Sequence, residues 1–171
     1  MRAAVNLSVR QLRDAGLVAA IERTLAEVGL GAEMLELELT ETAAMDDVGR
    51  TMRIFARLRE RGVNLSLDDF GAGYANLSYL RSLPFDKLKI DRALVTGVAT
   101  DANSRAICRA LIELAKGLDI GVLGEGVEQG TDVAALRAEG CHVFQGYYFS
   151  RPLPPAAFAD FARRGHAETV A

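Results

Sequence analysis

The stretch that organises this chain runs from Asn64 to Tyr74 and reads Asn-Leu-Ser-Leu-Asp-Asp-Phe-Gly-Ala-Gly-Tyr. Apolar and polar residues alternate in its first half, which predicts a strand. Asp68 and Asp69 then stand side by side where the strand ends, and two like charges this close repel each other unless a cation lies between them. Gly71 and Gly73 follow and let the backbone turn tightly and approach a ligand. The stretch indicates a binding site, although an isolated pair of aspartates after a strand is more often a solvated turn.

The composition is that of a globular domain. The chain has 171 residues, of which 50% are hydrophobic and 25% are charged, which is enough for one domain with a sizeable core. Its 20 basic and 23 acidic residues give a formal net charge of -3, and the basic residues are scattered along the sequence. A nucleic-acid polymer is not an expected partner, because its binding requires a clustered positive face. No apolar run approaches the ~20 residues of a membrane span, and no signal-peptide pattern is present, so we expect a cytoplasmic location.

Neither the cysteines nor the histidines predict a metal or catalytic site. Cys108 and Cys141 lie far apart without the paired spacing of metal ligands, and we expect both to be reduced core residues. His142 begins a predicted strand and His166 lies in the C-terminal tail, so neither is placed to act as a ligand or a base.

Predicted strands and helices alternate along the whole chain. Strand patterns cover residues 3–9, 34–40, 64–70, 87–91, 120–126 and 142–147. Helical patterns cover residues 10–28, 45–61, 103–117 and 131–139, with an irregular or helical piece around 77–83, a last helix after Pro155 and a fraying tail over 163–171. The predicted buried side of the helix over 103–117 carries Ile107, Cys108, Leu111, Ile112 and Leu114. Six successive strand–helix units indicate a parallel sheet, because parallel neighbours need long crossover connections.

Two parallel architectures compete, an open doubly wound sheet and a (β/α)8 barrel, and in both the ligand binds at the carboxyl ends of the strands. A polar residue stands near that end of every predicted strand: Asn6, Glu38, Asp68 with Asp69, Lys89 with Asp91, Glu125, and Gln145. An open sheet needs such residues only at its switch point, whereas all strands of a barrel converge on one mouth, so this ring favours the barrel. A complete barrel takes about 200 residues or more. We therefore expect an α/β fold, a TIM-like (β/α)8 barrel truncated at its N-terminus to about six units.

The chemistry of the ring indicates hard divalent cations. Carboxylates with an amide oxygen, and without His or Cys among them, are the ligands that Mg²⁺ or Mn²⁺ prefers over zinc. Two neighbouring aspartates suggest that Asp68 bridges two metal ions and that Asp69 completes the second, which is the arrangement that clamps the attacking and leaving oxygens in phosphodiester hydrolysis. Lys89 would contribute positive charge where the anion develops, or hold the attacking water.

Six motifs occur in order along nearly the whole chain: Val-Asn-Leu-Ser at 5–8, Glu-Leu-Thr-Glu at 38–41, Asp-Asp-Phe-Gly-Ala-Gly-Tyr at 68–74, Lys-Ile-Asp at 89–91, Glu-Gly-Val-Glu at 125–128 and Gln-Gly-Tyr-Tyr-Phe-Ser-Arg-Pro at 145–152. Together they resemble the motifs of EAL domains, bacterial phosphodiesterases that linearise cyclic di-GMP. The resemblance implies a (β/α)8 barrel with one reversed strand, a two-metal site for Mg²⁺ or Mn²⁺, and cyclic di-GMP as the ligand. It also suggests homodimers and fused sensory or diguanylate-cyclase domains.

The resemblance implies roles for individual residues. The first metal would be bound by Asn6, Glu38 and Asp68, and the second by Asp68, Asp69 and Glu125. Besides the ligand Glu125, the implied catalytic group contains Lys89 at the attacking water, Asp91 ordering the water and metal shell, and Glu41 bracing the loop after Asp69. The implied substrate- or water-binding residues are Gln145, Gly146, Tyr147, Glu128, Gly71 and Gly73, among which Glu128 would support the loop after Glu125.

The sequence departs from the family in one large respect. The Glu-Ala-Leu motif that names the family provides a metal-binding Glu on its second strand, and it occurs nowhere in this chain, which begins at what would be the third strand. Two smaller departures, Ala72 for Thr and Gly124 for Ala, exchange one small residue for another. We expect hydrolysis of cyclic di-GMP to linear pGpG by the complete domain, an inactive isolated chain, and open strand edges that invite association. A noncatalytic sensor that binds cyclic di-GMP is the alternative, although the full acidic set speaks against it.

Overall fold

The computed structural model of the chain describes residues 2–71, 80 and 82–163. Six parallel strands form one sheet: β1 (Ala3–Asn6), β2 (Leu35–Thr40), β3 (Asn64–Phe70), β4 (Lys87–Ile90), β5 (Gly121–Gly124) and β6 (Val143–Phe144). Their order across the sheet is their order in the chain. A doubly wound sheet reverses its strand order at a switch point, and the described strands do not. The sheet is therefore the six-strand arc of a (β/α)8 barrel, as the ring of polar residues predicts.

Helices follow the strands. They are α1 (Val9–Leu12), α2 (Leu17–Val28), α3 (Glu41–Met45), α4 (Val48–Arg59), α5 (Arg92–Val95), α6 (Ala102–Gly117), α7 (Gly130–Ala138) and α8 (Pro155–Arg163), with a 3₁₀ turn at Ala32–Met34. The tail predicted to fray lies outside the described residues from 164 onwards, and so does most of the irregular piece predicted around 77–83.

The helices predicted over 10–28 and 45–61 differ from the observed ones, because side chains that accept hydrogen bonds from backbone amides end or begin helices there. The helix predicted over 10–28 is α1 and α2, because Asp14 Oδ1 accepts a hydrogen bond from the Gly16 amide at 2.8 Å and closes a turn between them. The short helix α3 separates β2 from α4, because the Thr40 hydroxyl caps its first turn at 3.3 Å. Asp47 Oδ1 then accepts from the Arg50 amide at 2.9 Å and begins α4 afresh.

The core lies between one face of the sheet and the helices. On β2 the leucines Leu35, Leu37 and Leu39 are buried in it, and the rings of Phe55 and Phe85 meet edge to face with centroids 5.4 Å apart. The other face of the sheet is polar, and its buried side chains include Glu36, Glu38, Ser66 and Lys89. Strand alternation thus separates a packed outer layer from a charged interior.

The predicted buried side of α6 is wrong at one position. Ile107 is 44% exposed, whereas Cys108 and Ile112 are buried and Leu111 and Leu114 are partly buried against the core. Cys108 and Cys141 are both buried and free, as predicted. Burial raises the pKa of the Cys108 thiol to about 11, so it stays protonated and unreactive at neutral pH.

Both outer strands of the described sheet have an open edge. Each of β1 and β6 pairs with one strand among the described residues, and all four residues of β1 are exposed. Val5 on β1 and Val143 on β6 are 48% and 50% exposed. None of the helices in the described ranges is long and apolar enough to cross a membrane.

Candidate metal and catalytic site

The parallel register brings the polar strand ends to one mouth. Asn6 of β1 pairs with Glu38 of β2, and Glu38 pairs in turn with Ser66 of β3. Main-chain hydrogen bonds extend the sheet beyond its regular strands, since the Glu125 amide donates to the Ile90 carbonyl at 3.1 Å and the Gln145 amide donates to the Gly124 carbonyl at 2.9 Å. Backbone pairing therefore connects the neighbouring strand ends that carry the predicted ring of polar residues.

A β-bulge in β3 turns both adjacent aspartates toward this mouth. The pairing of β3 with β4 shifts between Leu67 and Phe70, and Asp69 has a left-handed backbone with φ of 55°. In a regular strand the side chains of Asp68 and Asp69 would point to opposite faces. The bulge instead allows one oxygen of each to lie, together with one oxygen of Glu125, within 4.8 Å of the others.

Lys89 is the central cation of the site. Its side chain is 3% exposed, and its Nζ lies 2.8 Å from Glu38 Oε1, 2.8 Å from Asp68 Oδ1 and 2.6 Å from Glu125 Oε1. Burial alone would lower the pKa of Lys89, but the contacts with Asp68, Glu125 and Glu38 raise it above the ordinary lysine value. The ammonium group is therefore charged, and it holds carboxylates from three strands together.

One lysine does not neutralise the site. Glu38, Asp68 and Glu125 carry three negative charges against the one charge of Lys89, and Asp69 adds a fourth. Burial raises the pKa of Glu125, and the nearby Asp68 and Glu38 charges add to this against the opposing effect of Lys89. Burial also raises the pKa of Asp69, with further contributions from Asp68 and Asp91. Burial raises the pKa of both groups most, the neighbouring negative charges add to it, and a bound cation would oppose both effects.

The donor set fits a hard divalent cation. Asp68, Asp69 and Glu125 offer only carboxylate oxygens at one point, with neither sulfur nor imidazole. Asp68 Oδ1 is buried, and among the described residues its polar contact is the ion pair with Lys89 Nζ at 2.8 Å. A carboxylate oxygen has a further lone pair, so a metal ion could bind it as well. Asn6 and Glu38, the other predicted metal ligands, lie on neighbouring strands, with Asn6 exposed on β1 and Glu38 held by Lys89.

The remaining implied catalytic residues lie around this cluster. Asp91 follows β4, caps α5 by accepting from the Ala93 amide at 2.7 Å, and its negative charge helps to raise the pKa of the neighbouring Asp69. Glu41 is the first residue of α3, directly after the end of β2. Most of the loop after Asp69 that Glu41 is predicted to brace lies outside the described residues, which lack 72–79 and therefore Gly73.

Two of the implied substrate- or water-binding residues serve the scaffold. Glu128 pairs with Arg92 of α5 through Oε1 and Nη2 at 2.6 Å, which ties the loop after Glu125 to α5. Gly71 has a φ of 96°, and a Cβ placed on it would lie 2.6 Å from Leu94 of α5. Both residues thus contact α5.

The segment after β6 combines a tight backbone contact with an aromatic surface. Gly146 packs directly on the Val127 backbone, and any side chain there would overlap it. Gln145 and Tyr147 line a cavity of about 370 Å³. The guanidinium of Arg151 lies 4.7 Å from the centre of the half-exposed Tyr147 ring.

Sequence reasoning missed a second buried ion pair below the mouth. Lys87 Nζ lies 2.8 Å from Glu36 Oε1 and 2.5 Å from Glu36 Oε2 across β3, where Ser66 leaves room for the lysine. The spacing Glu36-x-Glu38 on β2 matches Lys87-x-Lys89 on β4. Matched charges at period two on strands of one sheet were the signal that could have predicted it.

Comparisons with a family model, with curated proteins and with solved structures all lead to the same protein family. The model of the EAL domain family matches residues 1–152. The chain is 45% identical over 163 residues to the cyclic di-GMP phosphodiesterase NbdA of Pseudomonas aeruginosa, which covers 95% of this chain and 21% of NbdA. The structure of the PaMucR phosphodiesterase in complex with c-di-GMP superimposes with a TM-score of 0.86 at 38% identity, covering 92% of this chain and 64% of that one.

A third comparison concerns metal ions. The manganese and cy-diGMP complex of BlrP1 from Klebsiella pneumoniae superimposes with a TM-score of 0.83 at 32% identity, covering 88% of this chain and 39% of that one. The same protein is also known as a calcium and cy-diGMP complex. The chain spans about a fifth of the length of its curated relatives.

Proposed function

Because the chain belongs to the EAL domain family, we propose that it carries the metal-binding and catalytic carboxylates of a domain that hydrolyses cyclic di-GMP to linear pGpG. One observation supports this above all. Oxygens of Asp68, Asp69 and Glu125 lie within 4.8 Å of one another beside the buried ammonium of Lys89. The relatives add weight, since NbdA is named a cyclic di-GMP phosphodiesterase and the PaMucR phosphodiesterase binds c-di-GMP.

We propose that Asp68, Asp69 and Glu125 hold one divalent ion, Mg²⁺ or Mn²⁺, and that Asp68 shares a second with Glu38 and Asn6. Such ions polarise phosphoryl oxygens and make water a stronger nucleophile. The surplus of carboxylates over the one ammonium of Lys89 supports this assignment. So does the manganese complex of BlrP1.

Lys89 would assist the metal ions in the proposed reaction. Because its carboxylate contacts keep it protonated, it can donate hydrogen bonds but cannot accept a proton. Its position among Glu38, Asp68 and Glu125 lets it orient the attacking water or stabilise the negative charge that develops on the phosphate. Asp91, whose charge acts on Asp69, would order the water and metal shell, and Gln145 with Tyr147 would provide the adjoining surface for the substrate.

We propose further that residues 1–171 form part of a larger EAL domain and that the isolated chain is inactive. The open edges of β1 and β6 support this, since barrel strands need two neighbours each. The fraying of residues 163–171, the homodimer, the fused sensory or diguanylate-cyclase domains and the cytoplasmic location stay predictions.

The test is turnover of cyclic di-GMP by the full-length protein. We expect conversion to pGpG, followed by chromatography, that requires Mg²⁺ or Mn²⁺ and stops with a chelator. Tight binding of cyclic di-GMP without hydrolysis at saturating metal would instead support the noncatalytic sensor. Hydrolysis by the 171-residue chain alone would contradict the inactivity of the fragment.

A further inference from the structure

A cavity of about 350 Å³ on the outer, helical side of the protein is lined by four arginines. Arg50, Arg53 and Arg57 follow one another at helical spacing on α4, so they share one face of that helix. Arg13 joins them from the turn between α1 and α2, where its carbonyl accepts a hydrogen bond from Arg50 Nη1 at 3.0 Å. The fold therefore brings Arg13 next to the three arginines of α4. We call this cluster of positive charge the arginine cavity.

The arginines of this cavity differ in how far their charge is neutralised. Arg13 pairs with Asp46 at 2.9 Å, and Arg50 lies 3.6 Å from Asp47. Both aspartates line a separate, smaller cavity on the far side of Arg13 and Arg50. Within the described ranges, no carboxylate forms an ion pair with the exposed Arg53 or Arg57, although the 23 acidic residues of the chain outnumber its basic ones.

Asp14 is the one acidic side chain among the described residues that line the cavity. Its Oδ1 accepts the hydrogen bond from the Gly16 amide that follows α1. The floor of the cavity is apolar and includes Leu12, Val18 and Ile54. A concave apolar floor beside Arg53 and Arg57, which have no ion-pair partner in the described ranges, suits a small organic anion better than a long polyanion, which needs an extended positive face.

We propose that the arginine cavity binds a small ligand carrying a diphosphate group, at a site distinct from the carboxylate mouth. Guanidinium groups form paired hydrogen bonds to phosphate oxygens. Arg53 and Arg57 lie one helical turn apart, about 5–6 Å between Cβ atoms, so both can reach adjoining phosphoryl groups. Arg13 adds a guanidinium from the turn between α1 and α2, and Arg50 adds one from α4, while Asp46 and Asp47 hold them in place.

The experiment is calorimetric titration of the full-length protein with pyrophosphate and with ADP, with a chelator present so that no divalent ion recruits the ligand to the mouth. The variants are Arg53→Gln and Arg57→Gln, which change exposed helix residues. Arg23→Gln is the matched control, because Arg23 is an exposed arginine on α2 that pairs only loosely with Glu27 at 3.8 Å. Circular dichroism verifies that all variants are folded.

We expect each of Arg53→Gln and Arg57→Gln to weaken binding about tenfold, because each removes a charge-assisted contact, and Arg23→Gln to leave it unchanged. Equal affinity for pyrophosphate and ADP would support recognition of the diphosphate alone. Tighter binding of ADP would support a nucleotide whose base or sugar contacts the apolar floor. No binding of either ligand at millimolar concentration, or binding that both α4 variants leave unchanged, would overturn the proposal.

Discussion

Asp68 is the residue on which the proposed chemistry depends most. It belongs to both proposed metal sites, and its buried Oδ1 contacts the Lys89 ammonium at 2.8 Å. We expect Asp68→Asn in the full-length protein to lower kcat about a thousandfold or more, because an amide supplies neither the charge nor the second anionic oxygen. Steady-state hydrolysis of cyclic di-GMP measures this.

The control for that substitution is Asp160→Asn, which makes the same chemical change on the exposed surface of α8. It should leave kcat within twofold or so of the unsubstituted protein. A loss below about tenfold for Asp68→Asn, or ~1.4 kcal/mol of activation free energy, would refute a bridging role.

Lys89 offers a test that does not depend on turnover. Removing its charge leaves Glu38, Asp68 and Glu125 without their shared cation, so we expect Lys89→Met to lower the free energy of unfolding by about 3 kcal/mol in metal-free buffer. Mn²⁺ should then stabilise the variant more than the unsubstituted protein, because the ion replaces the missing positive charge. Thermal and chemical denaturation with and without Mn²⁺ measure both effects.

The matched control is Lys116→Met. Lys116 is exposed on α6 and lies 3.5 Å from Glu113, so its loss should change stability by less than about 0.5 kcal/mol. Equal stability of the two methionine variants, or equal stabilisation by Mn²⁺, would mean that Lys89 is not the cation of the site.

At the residue scale, the sequence predicts which side chains converge but not how they are held. Strand-end positions place Glu38, Asp68 and Glu125 at one mouth because parallel strands share a direction. The bulge at Asp69 depends on the register against β4, and the three contacts of Lys89 depend on side-chain reach across strands. Neither has a local pattern in the sequence.

At the scale of the elements, the end of β6 is fixed by Gly146. Its hydrogen atom faces the Val127 backbone, which cannot move aside, because the Val127 amide donates to the Gln145 carbonyl at 3.1 Å and the Val127 carbonyl accepts from the Tyr148 amide at 3.0 Å. We expect Gly146→Ala to lower the free energy of unfolding by about 2 kcal/mol through this overlap. Denaturant unfolding followed by circular dichroism measures it.

A glycine elsewhere separates the overlap from the general effect of replacing glycine. A Cβ on Gly117, the last residue of α6, would meet nothing within 4 Å. Gly117→Ala should therefore be neutral or raise stability by up to about 1 kcal/mol. If Gly146→Ala were as stable as Gly117→Ala, the close approach of β6 to Val127 would not be a structural requirement.

Element boundaries were predicted well where the pattern is periodic and poorly where a side chain caps a turn. The strand over 64–70 is β3 to the residue, and the helix over 103–117 differs from α6 only at its first residue. Asp14 and Asp47 instead divide continuous helical patterns, and Thr40 begins a short helix ahead of the predicted one, since their side chains accept hydrogen bonds from nearby backbone amides. Hydrophobic periodicity carries no signal for such turns.

At the scale of the whole molecule, strand order distinguishes the barrel from the open sheet. The ring of polar strand ends predicted a barrel, and the uninterrupted order from β1 to β6 confirms it. A six-strand arc then leaves two edges whose backbone groups have no strand partner in the described sheet, and exposed edges of this kind pair with other chains.

These edges predict the behaviour of the 171-residue chain in solution. We expect it to associate as its concentration rises, which light scattering after gel filtration measures, and Val5→Lys to reduce the association because a charge on β1 opposes edge pairing. Ile107→Lys is the control, since it places the same charge at a similarly exposed apolar residue on α6. Equal reduction by both variants would trace association to general surface hydrophobicity, and a monomer at all concentrations would show that β1 and β6 do not act as open edges.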